Sequence, residues 1–212
     1  SYVDFESNTP VNLKELSPAN IRELGIRLSF VPEDRLGMGL VGNMDLVDNM
    51  MLRSYRKGKG GILNRKNPES LAEHIVKDLE VVTPNLHTKV RKLSGGNVQK
   101  VLVGREIASS PKVLMAAYPV RGLDINSSYL IYNLLNKQKE EGAAVIFVGE
   151  DLDVLLALCD RIIVIDGGKI IEEGSYEKLI EQNGFFAELV ARQRIEVEEQ
   201  EAHETSQKAR GE

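Results

Sequence analysis

From residue 93 onward the chain alternates continuously apolar runs with amphipathic stretches of helical spacing, and no other feature of its 212 residues constrains the fold as much. The helical stretches read LSGGNVQKVLVGREIASS, DINSSYLIYNLLNKQKEEG and DLDVLLALC, and the apolar runs KVLMAAY, AAVIFVG and RIIVID. Apolar runs without polar alternation suit strands buried on both sides, and helices between them supply the crossovers that parallel strands need. The pattern therefore predicts an α/β core with a mostly parallel sheet covered on both faces. Gly167 and Gly168 separate RIIVID from KIIEEG at hairpin spacing, so the end of the core is expected to be antiparallel.

Upstream, YVDF and NTPVNL read as short strands joined by a turn. Ser17 and Pro18 supply an N-cap and first position for a helix through Leu24, IRLSFV at 26–31 reads as a strand broken at Pro32, and DLVDNMML at 45–52 as a helix. The stretch from Arg53 to Lys66 holds six basic residues but a single tyrosine, so it reads as a solvated loop rather than a stacking surface for nucleic acid. Asn67 and Pro68 then cap a helix to about Leu79, with Leu71, Ile75, Val76 and Leu79 on one face. Helices at about 175–182 and 184–195 follow the hairpin. The tail from Glu196 to Glu212 carries six glutamates and almost no apolar residues, which predicts frayed helix or disorder.

Charge and composition exclude several classes of function. Twenty-seven basic against thirty-two acidic residues give a net charge of −5, so no global positive field gathers phosphate backbone, and nucleic acid is not expected as a partner. Cys159 is the single cysteine, and His74, His87 and His203 are scattered, so neither a disulfide, a cysteine zinc site nor any other metal site is expected. No apolar run reaches the roughly 18–20 residues of a membrane span, and SYVDFESNTP lacks the features of a signal peptide. A cytosolic setting is the expectation.

Two glycine patterns bear on chemistry. GMGLVG from Gly37 to Gly42 fits the dinucleotide spacing and half of a P-loop, but Asn43 and Met44 stand where a P-loop needs Lys and Ser or Thr, and PEDRL separates it from the preceding strand. It reads as a glycine-rich turn, and no complete P-loop occurs anywhere in the chain. LSGGNVQK is different, because Ser94 opens a helix directly and Gly95 and Gly96 let backbone N–H groups approach an anion at the positive end of the helix dipole. After it come a strand, Pro119, the turn RGLD from Arg121 to Asp124, and a second strand ending at Glu150 and Asp151.

In this order and spacing the chain resembles the nucleotide-binding domain of ABC transporters over roughly residues 1–172. LSGGN resembles the signature motif, KVLMAAYPVRGLD the Walker B strand and D-loop, VIFVGEDLD the switch strand, and FVPEDR the Q-loop. The combination of PEDR, LSGGN and RGLD is similar to the second half of tandem sugar-type and nucleoside-type importer ATPases. AAYPVRGLD, GGILN and VVTPN lean toward the nucleoside branch. The resemblance implies a partial ABC-type P-loop NTPase fold. Residues 1–40 would be a remnant antiparallel β-subdomain with the Q-loop, 41–110 a helical subdomain with the signature helix and 111–172 the α/β core. C-terminal helices at 173–195 and an acidic tail at 196–212 would follow.

The departures from the family pattern fall on the catalytic positions. Where the Walker B strand usually ends in Asp-Glu, for Mg²⁺ and the attacking water, this chain has Ala117 and Tyr118. Glu150 replaces the switch histidine and Glu33 the Q-loop glutamine. The resemblance thus implies a degenerate site in cis, with Ser94, Gly95, Gly96 and Asn97 closing on ATP held by the first ATPase half and Asp124 bridging the halves. The chain begins in what resembles the β-subdomain, so it reads as a piece of a longer protein whose P-loop lies upstream. The parent would bind ATP and Mg²⁺, whereas the piece alone would bind no cofactor. Transmembrane permease subunits and, indirectly, an extracellular solute-binding protein are the implied partners, at the cytoplasmic face of the membrane. Two other readings stay open on the residues: a non-transport ABC-type ATPase, and a dimerisation or regulatory module without catalysis.

Overall fold

The computed structural model describes residues 2–3, 10–53, 64–149 and 151–193. Most of the basic stretch at 53–66, together with Glu150 and the acidic tail, lies outside the described residues. The chain divides into two compact units, residues 1–149 and 150–212.

The first unit opens with strands β1 (Tyr2–Val3) and β2 (Pro10–Val11), paired antiparallel as expected. Helix α1 (Pro18–Glu23) starts where a Ser-Pro pair should start a helix, with Ser17 Oγ accepting from the N–H of Asn20. Strands β3 (Leu28–Val31), β4 (Val113–Ala117) and β5 (Ala144–Val148) form a parallel sheet in the order β3-β4-β5. Between the first two run α2 (Leu46–Met51), capped by Asp45, then α3 (Lys66–Asp78) and α4 (Gly95–Ile107). Helix α5 (Ile125–Glu140) crosses from β4 to β5.

The core of this unit lies on one face of the sheet. Side chains two apart along a strand share a face, so Ser29 and Val31, Leu114 and Ala116, and Val145 and Phe147 point the same way, and the first four are buried. Ile131 and Leu135 of α5 and Val98, Val101, Leu102 and Val103 of α4 complete the same cluster, together with Leu46 and Met50 of α2 and Ala72 and Ile75 of α3. Close approach of α3 and α4 depends on Gly104, where a Cβ would stand 2.9 Å from Ile75 and 3.0 Å from Leu79. The opposite face carries Leu28, 59% exposed, and Ile146, 49% exposed. The expectation of a sheet covered on both faces therefore fails at these positions, because the helices that contribute to this core, α2 to α5, all pack on the Val31–Leu114 side.

In two further places the structure departs from the sequence reading. Asn67 and Pro68 do not cap α3: Arg65 occupies the cap without a side-chain hydrogen bond, and Pro68 sits at the third helical position. Proline is tolerated there because the first four N–H groups of a helix have no intrahelical partner to lose. The GMGLVG segment begins inside a π-helical turn, Arg35–Gly39, whose cap Asp34 accepts from the N–H of Leu36 and Gly37. A Cβ at Gly37 would fall 2.1 Å from Asp34 Oδ2, so a side chain there would displace the capping carboxylate.

The second unit contains α6 (Leu152–Leu158), capped by Asp151, and an antiparallel hairpin of β6 (Ile162–Asp166) and β7 (Lys169–Gly174). Helix α7 (Tyr176–Glu181) and helical residues 185–193 follow. Gly167 and Gly168, at φ 53° and 74°, make the predicted turn. Among the described residues β6 pairs with β7 alone, so the antiparallel end forms a sheet of its own. Ile162, Leu179, Phe186 and Val190 are its buried core.

Candidate functional site

Helix α4 begins at Gly95 because Ser94 is extended and its Oγ accepts from the N–H of Asn97. Asn97 in turn donates Nδ2 to Ser94 Oγ at 2.9 Å and accepts the N–H of Val82 at 2.9 Å. The cap is thereby tied to the 81–85 segment. Ser94 and Gly95 are exposed and Gly96 and Asn97 half-buried, so the first turn presents backbone donors at a bare helix N-terminus. The preceding segment is held just as closely: Val90 and Arg91 donate their N–H groups to the carbonyls of Met44 and Gly42, and buried Asn49 fixes residues 41–45 through four hydrogen bonds.

The start of α5 lies beside the start of α4. A Cβ on Gly96 would be 3.2 Å from Ser127 Oγ and 3.7 Å from Asp124 Oδ2. Asp124 caps α5, accepting from the N–H of Ser127 at 2.9 Å and from its hydroxyl at 2.7 Å. Those bonds hold its carboxyl below the usual carboxylate range, so it is ionised at neutral pH. Asp124, Gly96 and Ser94, which the sequence reading assigned to the D-loop and signature, thus sit together.

Four residues that the sequence reading did not assign complete the constellation. Arg35 donates Nε to Gln99 Oε1 at 2.8 Å and Nη2 to the carbonyl of Arg121. Arg121 donates Nη1 to the carboxylate of Glu33, and its guanidinium carbon lies 5.9 Å from the centre of the Tyr118 ring. Ser127 holds Asp124. Glu33, which the sequence reading assigned to the Q-loop, is therefore engaged by the turn after β4. PEDR and RGLD were legible as motifs, but pairing across 64 and 86 residues has no local signature.

Ala117 ends β4 opposite Val148, and Tyr118 follows at φ 47° with its N–H donated to the carbonyl of Val148. The end of β4 presents a methyl group and a phenol, neither of which is a ligand for Mg²⁺ at neutral pH. Among the described residues no three His, Cys, Asp or Glu side chains are grouped to hold a metal ion. The N-terminus of α4, by contrast, has the donors that a phosphate requires.

No protein-family model matches the chain. It is 40% identical over 159 residues to the xylose import ATP-binding protein XylG of Thermoanaerobacter pseudethanolicus, covering 72% of this chain and 32% of that protein. It is 36% identical over 173 residues to the guanosine import ATP-binding protein NupO of Bacillus subtilis, covering 80% and 34%. With the ribose import ATP-binding protein RbsA 1 of Rubrobacter xylanophilus it shares 34% identity over 163 residues, covering 76% and 32%. The chain spans about a third of the length of these relatives. Its fold is similar to the ATP-binding cassette MJ0796 in a dimeric post-hydrolysis state bound to ADP and Pi, with a TM-score of 0.63 at 24% identity over 78% of this chain and 70% of that one. It is also similar to a bacterial Atm1-family ABC exporter with ATP bound, with a TM-score of 0.62 at 25% identity over 81% and 29%. By sequence and by fold, the chain is part of an ABC-type ATPase domain, homologous to the ATP-binding proteins of sugar and nucleoside importers.

Proposed function

We infer that the chain is part of the ATP-binding subunit of an importer for simple sugars or nucleosides, and that it contributes the signature side of a composite ATP site. The observation carrying this reading is the pairing of a Ser94-capped Gly95-Gly96 helix start with Asp124 on one side, against a β4 strand that ends in Ala117 and is followed by Tyr118. Donors for a phosphate are present, whereas the end of β4 offers no ligand for its metal and no metal-binding cluster occurs among the described residues.

On this reading ATP is held by the first ATPase half of the parent protein, and Ser94, Gly95 and Gly96 approach its terminal phosphate. Asn97 acts by holding Ser94, since its amide is bonded to that hydroxyl and to Val82. ATP brings the phosphoanhydride bond whose hydrolysis drives transport; this chain brings aimed N–H groups and the positive end of a helix. Asp124, ionised and exposed, meets the opposite half across the site. The site built around Ala117, Tyr118 and Glu150 is degenerate, and Glu33 is occupied by Arg121 rather than free for a metal.

The proposed partners are the first ATPase half, transmembrane permease subunits and, through them, an extracellular solute-binding protein, with the subunit at the cytoplasmic face of the membrane. No helix among the described residues is long and apolar enough to cross a membrane. The complete protein, affinity-purified from detergent-solubilised membranes, is expected to retain transmembrane permeases and to hydrolyse ATP faster when a loaded solute-binding protein is added. Retention of ribosomes or DNA instead, or of a soluble partner indifferent to ATP, would defeat this reading.

A further inference from the structure

Arg35 stands where three separately coded elements meet, and its position is fixed from both ends. Its own turn is closed by Asp34 and by the donation of the Leu40 N–H to the Arg35 carbonyl at 2.7 Å. At the far end of the turn, the carbonyl of Gly39 accepts from Nη2 of buried Arg105 at 2.7 Å, and Arg105 is itself paired with fully buried Glu106. The backbone carrying Arg35 is therefore anchored to α4 at a second point.

The side chain then reaches two elements at once. Nε meets Oε1 of Gln99, a fully buried residue of the signature helix, and Nη2 meets the carbonyl of Arg121 in the turn that leads to Asp124. Nε2 of Gln99 is buried without a hydrogen-bond partner. The amide is thus held by Arg35 through its oxygen and has no second tie to replace that one. Nη1 of Arg35 stands 3.3 Å from where a Cβ on Gly95 would be, directly beneath the helix start. A planar guanidinium reaches these two acceptors from two separate nitrogens, Nε and Nη2, whereas the donors of an ammonium all radiate from one nitrogen, so lysine at the same place keeps one of the two bonds.

We propose that Arg35 is a positioning residue that clasps the start of the signature helix to the turn bearing Asp124, so that Ser94, Gly95 and Asp124 move as one body. Arg121 extends the clasp by tying the same turn to Glu33. The catalytic consequence rests on the signature reading above, but the clasp itself does not. Closing on a nucleotide then brings two sets of groups into place by one motion, which matters because misplacement by about 1 Å can cost on the order of 10² in rate.

Arg35→Met and Arg35→Lys in the complete protein test this by hydrogen exchange and by kinetics. In Arg35→Met the amides of Asn97 and Val98 and those of Arg121, Leu123 and Ser127 should all exchange faster, while those of α3 do not change. Arg35→Lys, which keeps the charge and one bond, should show a smaller effect on both segments. With permeases present, kcat for ATP hydrolysis should fall about 10- to 100-fold in Arg35→Met with KM within about twofold. Adding Gln99→Met should make it little worse. Faster exchange confined to one segment, a raised KM at unchanged kcat, or multiplying effects of the two substitutions would each overturn the clasp. A wild-type protein without permease-dependent hydrolysis, but with the paired exchange response, would sink the transport reading and leave the clasp standing.

Discussion

Asn97 and Ser94 form a closed unit at the start of α4: the Asn97 N–H and Nδ2 both donate to Ser94 Oγ, at 3.4 and 2.9 Å. With Oδ1 of Asn97 holding the N–H of Val82 at 2.9 Å, one side chain fastens the helix cap to a loop fifteen residues upstream. Asn97→Ala removes two neutral side-chain hydrogen bonds and should cost about 1–3 kcal/mol. Asn97→Asp keeps the acceptor for Val82, loses the donor to Ser94 and gains a carboxylate at the positive end of the helix, so it should cost less. Urea midpoints are expected to rank wild type, then Asp, then Ala, at unchanged m-value. An Asp variant below the Ala variant would show that the carboxylate beside Ser94 Oγ costs more than the retained bond to Val82 and the helix dipole return.

Glu106 carries a larger share of stability. It is fully buried, Arg105 donates to it at 2.9 and 3.0 Å, and Arg53 donates at 3.2 Å through Nε. Glu106→Gln leaves Arg105, whose side chain is 5% exposed, without its counter-charge, and breaking a buried pair this way costs about 3–5 kcal/mol. Arg53→Met should cost much less, because that side chain is 48% exposed and Glu106 keeps Arg105. Denaturant melts of the two variants check the order, and equal losses would refute it.

Asp124 links stability to pH in a stated direction. Its carboxyl is held low by the Ser127 N–H and hydroxyl, so the stabilisation is fully present above the unfolded carboxylate pKa and is lost as pH falls through the lower folded value. Ser127→Ala removes the hydroxyl donor but not the backbone one. The Asp124 pKa, followed by carboxyl NMR, should therefore rise part of the way toward the ordinary range, and a value unmoved by Ser127→Ala would contradict this assignment of causes.

How much of this was legible in the sequence follows from which interactions are local. Ser17 and Ser94, read as helix starts, do cap α1 and α4, because an N-cap bond spans two or three residues and leaves its mark in residue type, although the same cue misplaced the start of α3 at Asn67 and Pro68. The hairpin at Gly167-Gly168 was legible for the same reason. Arg35 to Gln99, Arg121 to Glu33 and the burial of Glu106 were not, since each joins elements brought together only by the parallel crossovers. The open face at Leu28 and Ile146 was missed because an apolar run signals a strand without saying how many faces the rest of the chain covers.

The sharpest comparison sets Gly95 against Tyr118. A Cβ on Gly95 would meet only Nη1 of Arg35, at 3.3 Å, which needs a shift of no more than a few tenths of an ångström, so Gly95→Ala should fold normally. A large side chain there, as in Gly95→Trp, would stand over the exposed helix start and keep its N–H groups from a phosphate, an effect on the order of 10² to 10³ in rate. Tyr118→Glu places a carboxylate just after β4, yet Ala117 still offers Mg²⁺ no ligand and, on the proposed reading, Glu150 adds a negative charge at the switch position. Tyr118 is also at φ 47°, where glutamate is no better accommodated than tyrosine. ATPase rate and solute uptake of the complete protein with its permeases are therefore expected to collapse in Gly95→Trp and to change by less than about twofold in Tyr118→Glu, a free-energy difference below about 0.5 kcal/mol. Normal transport by Gly95→Trp would mean that the start of α4 does not close on the nucleotide, and a several-fold gain from Tyr118→Glu would mean that the end of β4 takes part in hydrolysis; either result would overturn the passive closing role.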